Sequence, residues 1–144
     1  MRQIIYNDSE RMKCWAAEHY HDAAVDDDSH TLGLEVDNKL ICVVLYNGFT
    51  RHACSMHIVT DGLKRWADKR FLTAAFAYPF IQLGLNRVTA FVPASNTAAL
   101  MLDMRLGFQP EGRMIEALED DDLIVLGMLR RHCKWIDERY RHGR

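Results

Sequence analysis

The residues best equipped for chemistry fall into two groups. The first is titratable. His57 lies on a predicted strand over residues 53–59, with His52 and Asp61 beyond its two ends. Alternation puts Ser55, His57 and Val59 on one face and Cys54, Met56 and Ile58 on the other. An imidazole titrates near neutrality unaided and can serve as a general base. Asp61 is placed to orient it, although a lone strand histidine is also a common structural residue. Glu35, on an earlier strand, is the other candidate base. Cys54 is a weak candidate nucleophile, because no orienting histidine is indicated beside it. The second group is basic. Gly62, Lys64, Arg65, Lys69 and Arg70 surround the start of a predicted helix. A helix N-terminus with unpaired N–H groups attracts an anion, and these cations would reinforce it. The same charges can also stand solvated on a helix start.

Composition narrows the options. The chain has 144 residues, enough for one core and too few for two ordinary domains, so residues 1–144 are read as a single domain. The apolar fraction of 49% and charged fraction of 26% suit a globular protein in water. A formal net charge of -2 gives no reason to invoke nucleic acid or a membrane surface. Positive charge also gathers late in the chain, at Arg130, Arg131, Lys134, Arg139, Arg141 and Arg144. The N-terminal segment lacks the apolar core of a signal peptide, and no run approaches a membrane span. Cys14, Cys42, Cys54 and Cys133 are far apart with no C-x-x-C pair, so no metal is expected. Reduced thiols and a cytoplasmic location are the expectation. Asp26, Asp27 and Asp28 read as a solvated turn, with chelation the lesser reading.

Hydrophobic periodicity supplies the elements that must position these side chains. Residues 2–6 form a short strand. Asn7, Asp8 and Ser9 then cap a helix to about Tyr20, with Met12, Trp15 and Ala16 inward. Residues 31–36 alternate as a half-buried strand, and residues 40–46 are nearly all apolar, as in a strand covered on both faces. With residues 53–59 they make an antiparallel meander. A long helix is predicted over residues 66–83, kinked at Pro79 and ended by Gly84. A strand at residues 87–92 follows, then a helix from Asn96 that closes at Gly107. A last strand pair joins through the acidic turn at residues 119–122, and residues 131–140 are predicted to form a closing helix. The expected class is α/β (α+β): a mixed, mostly antiparallel sheet of about seven strands flanked by helices.

One stretch carries a recognisable pattern. Asn96, Ala99, Leu100, Leu102, Arg105, Gly107 and Phe108 match "N-x-x-A-[IL]-x-L-Y-x-[KR]-x-G-F". Before it, Leu83-Gly84-Leu85-Asn86-Arg87-Val88 matches "LG-x-x-R-[IVL]". After it come Glu111-Gly112 and a late strand over residues 124–129. This ordered series resembles the GNAT superfamily of acyl-CoA-dependent N-acyltransferases, nearest to the branch that acetylates N-terminal amines of ribosomal proteins. The resemblance covers residues 83–135 well and is thin before Gly62.

The resemblance implies acetyl-CoA as co-substrate and a primary amine, on a protein or a small molecule, as acceptor. Transfer would be direct attack in a ternary complex. The implied cofactor contacts are Ile58, Val59, Lys64, Arg65, Trp66, Lys69, Arg70 and Asn96. His57 or Glu35 would be the base. Two departures stand out. The family's phosphate-loop glycines are replaced by Trp66 and Asp68, so Asp68 is expected to turn outward or cap the helix. The family's acidic Tyr is replaced by Asp103, read as a solvated helix residue that leaves the acid role vacant. These departures keep a non-catalytic acyl-CoA-binding module as the alternative, with action on charged tRNA as a third. A homodimer stays open.

Overall fold

The computed structural model describes residues 1–19, 28–63 and 65–142. Asp26, Asp27, Lys64 and Arg144, singled out above, lie outside the described residues. Seven strands form one sheet in the order β1-β2-β3-β4-β5-β7-β6. They are β1 (Arg2–Ile5), β2 (His30–Val36), β3 (Lys39–Asn47), β4 (Ala53–Thr60), β5 (Arg87–Pro93), β6 (Gln109–Leu118) and β7 (Asp121–Leu129). Every neighbouring pair is antiparallel except β4 and β5, which run parallel. Asp37 and Asn38 turn β2 into β3 with φ of 51° and 69°, the left-handed region that a two-residue hairpin turn requires.

β3 is the spine. Every residue from Leu40 onward is buried, as its continuous apolar run predicts. On one face, Val43 and Leu45 pack with Val59 against Met12 and Ala16 of α1 (Ser9–His19). α1 lies close to the sheet because Gly33 has no side chain. A Cβ there would stand 2.6 Å from the Met12 sulfur. On the other face, Cys42, Val44 and Tyr46 meet Phe71, Phe76 and Phe80, which come from α2 (Lys69–Ala77) and the turn after it.

Two predicted helices are corrected. The one expected over residues 66–83 begins only at Lys69. Trp66 is drawn into the core, and Asp68 takes an extended conformation and caps the helix by accepting from the Phe71 amide at 2.7 Å. It also loses α geometry at Tyr78, where a π-helical turn (Tyr78–Gln82) begins. Pro79 explains this, since it has no N–H for the Ala75 carbonyl four residues back. The buried Tyr46 hydroxyl donates to that carbonyl instead, at 2.5 Å. The closing helix expected over residues 131–140 is absent. Two short 3₁₀ turns, Arg130–His132 and Glu138–Tyr140, flank an irregular turn that sends Cys133 and Ile136 into the core. Burial of apolar side chains outweighs helix propensity there.

α3 (Thr97–Leu106) follows the sequence reading. The Asn96 side chain caps it by accepting from the Ala99 amide, and Gly107 closes it at φ 118°.

Candidate active-site cleft

β4 and β5 pair over only three residues, from Ala53 with Arg87 to Ser55 with Thr89. Beyond that, β4 stays with β3 as far as Thr60, and β5 stays with β7 as far as Pro93. The two strands diverge, and each presents an unpaired edge to the gap. The gap is a cleft of about 770 Å³. Its walls are residues 56–60 of β4, residues 90–92 of β5, one side of α3, and Gly62, Leu63, Trp66 and Ala67 of the loop before α2. Trp135 and His19 complete it. Trp135 is fixed by its indole N–H, which donates to the Leu106 carbonyl at 2.8 Å. The His19 ring stacks on Trp15 with centroids 3.9 Å apart.

His57, Ile58, Val59, Trp66 and Asn96 come together in this cleft. His57 pairs across with Leu45, so its strand position belongs to the face that α1 covers. Asp61 does not orient it. It lies four residues further along the chain, roughly 13 Å in extended conformation. Asp61 is instead paired with Arg65 at 3.1 Å and accepts from the Leu63 amide at 3.0 Å. Glu35 is not brought into the cleft. It is buried against α1 and ion-paired with Arg11 at 2.9 Å. Cys54 is buried among apolar groups that push its thiol up to about 12. At pH 7 roughly one thiol in 10⁵ would be ionised, which removes it as a nucleophile.

The basic group is more divided than its sequence suggests. Lys69 and Arg70 are exposed on the first turn of α2, and Arg65 is held by Asp61. Arg2, from β1, joins them. Its guanidinium donates to the Arg65 carbonyl and pairs with the Asp68 carboxylate at 2.7 Å. Asp68 therefore fills the N-terminus of α2 with the chain's own anion. Of its two expected placements, capping is the one realised. Nothing in the sequence places Arg2 here, because strand order alone brings it to this loop.

Asp103 overturns its sequence reading. It is not solvated. It lines the cleft and is 8% exposed. Burial among apolar neighbours pushes its carboxyl up to about 7. The signal was available: Asp103 stands four residues after Ala99 and three before Leu106, inside the inward stripe of the helix.

A shallower hollow of about 400 Å³ lies at the β6–β7 turn, lined by Glu116, Leu118, Asp120, Asp121 and Asp122. Two of its carboxylates are already engaged. Asp121 accepts from the Ser95 hydroxyl at 2.7 Å, and Asp122 pairs with Arg113 at 2.7 Å. Among the described residues, no group of three or more His, Cys, Asp or Glu side chains could hold a metal ion. Among them too, no helix is long and apolar enough to cross a membrane.

The overall fold is shared with solved structures. Spermidine/spermine N-acetyltransferase SpeG from Vibrio cholerae superposes with a TM-score of 0.70 at 16% identity, over 90% of this chain and 95% of that one. The chain has the GNAT acetyltransferase fold. An acetyltransferase of the GNAT family from Streptococcus pneumoniae matches at a TM-score of 0.68 and 18% identity, over 90% and 99% of the two chains. The ribosomal-protein-S18-alanine N-acetyltransferase from Escherichia coli matches at 0.65 and 16%, over 90% and 94%. No family sequence model matches the chain, and neither does the sequence of any curated protein. At these identities the likeness is one of GNAT architecture, reached with a different set of side chains.

Proposed function

We propose that this protein is an N-acetyltransferase that moves an acetyl group from acetyl-CoA to a primary amine. The observation that carries the reading is the cleft between β4 and β5. Two strand edges with unpaired amides and carbonyls face one another across a slot that an extended, amide-bearing chain can enter as an added strand. The pantetheine arm of CoA is such a chain. Ile58 and Val59 on one edge and Asn96 at the other wall would hold it, with Trp66 and the loop from Gly62 toward the phosphates. The exposed Lys69 and Arg70 supply charge for those phosphates. Asp68 opposes them, and no glycine replaces it.

His57 is the proposed base. A primary ammonium must lose a proton before its nitrogen can attack, and His57 is the cleft residue of β4 suited to take one. The neutral nitrogen then attacks the thioester carbonyl, and the C–S bond breaks without an acyl-enzyme, since Cys54 is buried and protonated. Two of the proteins named above are a spermidine/spermine N-acetyltransferase and a ribosomal-protein-S18-alanine N-acetyltransferase. A primary amine is the chemistry these share, and it is the acceptor class proposed here.

The test is thermal denaturation with acetyl-CoA, followed by thiol release with a panel of amines. At a hundredfold excess over Kd, the ligand adds about 2.7 kcal/mol of stability. No shift at millimolar acetyl-CoA would refute the reading. Binding with no thiol release from any amine would favour a non-catalytic acyl-CoA module.

A further inference from the structure

We propose that the acceptor binds on the open face of β5 and β7, over Phe91, Val125 and Leu123, and that the site selects a primary amine carried on an apolar, uncharged body. This narrows the acetyltransferase reading above and rests on it. β5 is covered on one face only. Val88, Ala90 and Val92 are buried on the α2 side, whereas Arg87, Thr89, Phe91 and Pro93, which alternate with them, are only partly buried. β3, by contrast, is buried on both faces. Register identifies the open face. Ser55 of β4 pairs with Thr89, and His57 and Val59 share its side of the strand. Val59 packs beneath α1 with Val43 and Leu45. The open face of β5 therefore continues the face that α1 covers. Among the described residues, α1 packs on β2, β3 and β4, and the apolar residues of α2 and α3 pack on the opposite face.

His57 lies on that face at the level of Phe91 across the gap, since each is two residues beyond the last paired row, Ser55 with Thr89. Both line the cleft. From Phe91 the row continues to Val125 and Gly112, and the next row on this face is Pro93, Leu123 and Met114. These rows make an apolar shelf about 7 Å long and about 10 Å across, from the rise of two residues and the spacing of three strands. Arg87 and Glu111, paired across Gly127, close the end nearest the β4–β5 pairing. From the β4 side, α1 supplies His19 to the cleft. Its Nδ1 donates to the Trp15 carbonyl at 2.8 Å, so the neutral ring keeps an acceptor at Nε2. An amine nitrogen at His57 thus has apolar surface for its body. A second ammonium on the shelf would shed water without gaining an anion. Glu35 is paired with Arg11, and Glu111 with Arg87. Asp121, two residues before Leu123 on the same face, has its oxygens taken by Ser95 and by the Asp122 amide. Asp103 reaches the cleft from α3, on the opposite face, and burial holds much of it neutral.

The first measurement is acetyl-CoA binding by thermal shift with thiol release from an amine panel, which tests the acetyltransferase reading on its own. The second compares hexylamine with 1,6-diaminohexane, which differ only in a terminal ammonium. At one pH, kcat/KM for hexylamine should be higher by roughly tenfold or more. Val125→Glu puts a carboxylate on the shelf. It should shrink that ratio by roughly tenfold and leave the acetyl-CoA thermal shift unchanged. A parent ratio near one, or a preference for the diamine, would overturn the proposal, as would a ratio that Val125→Glu does not move. The third measurement needs neither turnover nor a variant. In methyl NMR spectra of the parent with CoA present, hexylamine should shift the Val125 and Leu123 methyls and leave those of Val43, beneath α1, in place. Absence of shifts at Val125 and Leu123 overturns the proposal whatever the rates show.

Discussion

At the scale of single residues, burial decides which side chains can act. Asp103 and Cys54 are both buried acids, but their ionisation lies on opposite sides of usefulness. Cys54 stays a thiol at every physiological pH. Native protein treated with a thiol-alkylating reagent at pH 7.5 should react at the exposed Cys14 and spare Cys42, Cys54 and Cys133, as peptide mapping would show. Asp103 titrates in the accessible range, and its pH effect on stability has a definite sign. Its folded value, about 7, lies above the unfolded value of 3.8. The unfolded chain releases this proton first, so the stability associated with Asp103 is complete below pH 4 and lost as pH rises through 7. Asp103→Asn removes that loss. The variant should be more stable than the parent at pH 8, by about 4 kcal/mol at most, with the gain vanishing near pH 4. Denaturant titration at the two pH values checks it. Equal differences at both would show that Asp103 is not held neutral. His57→Ala should lower kcat by roughly 10²–10⁴ and leave acetyl-CoA binding within a few-fold. A parent-like rate would make His57 structural.

At the scale of elements, the start of α2 sets how well the cleft can hold phosphates. Asp68 caps the helix and is itself tied to Arg2. A cap of this kind contributes about 1 kcal/mol, and Ser caps nearly as well as Asp. The carboxylate also repels a pyrophosphate at the same helix end and occupies a guanidinium that could serve it. Asp68→Ser keeps the cap and removes the charge. Acetyl-CoA should then bind several-fold tighter, on the order of 1 kcal/mol, because the helix end and Arg2 both become available. Binding of an acetylated pantetheine lacking the pyrophosphate should not change. Calorimetry with the two ligands separates the effects, and equal changes for both would show that Asp68 does not face phosphate. β5 is also tied to β6 from outside the cleft. Arg87 makes a bidentate pair with Glu111 across Gly127, where a Cβ would stand 2.5 Å from the Glu111 carboxylate. The Arg87 of the sequence pattern is thus a strut of the sheet.

At the scale of the whole molecule, periodicity made the strands legible because each strand's environment is local. An alternating run reads as one covered face, and the apolar run at β3 reads as two. Helix ends and side-chain partners were less legible because distant chain decides them. Trp66 leaves its helix for a core that the sheet creates, Tyr46 supports a carbonyl that Pro79 abandons, and Arg2 reaches Asp68 only through strand order. Asp103 reads as solvated by its residue type and as buried by its place in the apolar stripe, and the fold follows the place. The same topology implies a further test. The sheet is two units, β1–β4 and β5–β7, joined by three residue pairs, with α1 against the first unit and α3 against the second. Beyond Ser55 and Thr89, the amides on the facing edges lack strand partners and should exchange hydrogen faster than those bonded to β3 and β7. A ligand entering as an added strand would bond to both edges at once. Acetyl-CoA should therefore slow exchange at residues 56–60 and 90–93 together, by tenfold or more for the amides that donate to it, while the β6–β7 turn stays unchanged. Exchange read by mass spectrometry or NMR distinguishes this from surface binding. Protection on one edge alone, or on neither, would mean that the ligand does not bridge the two halves of the sheet.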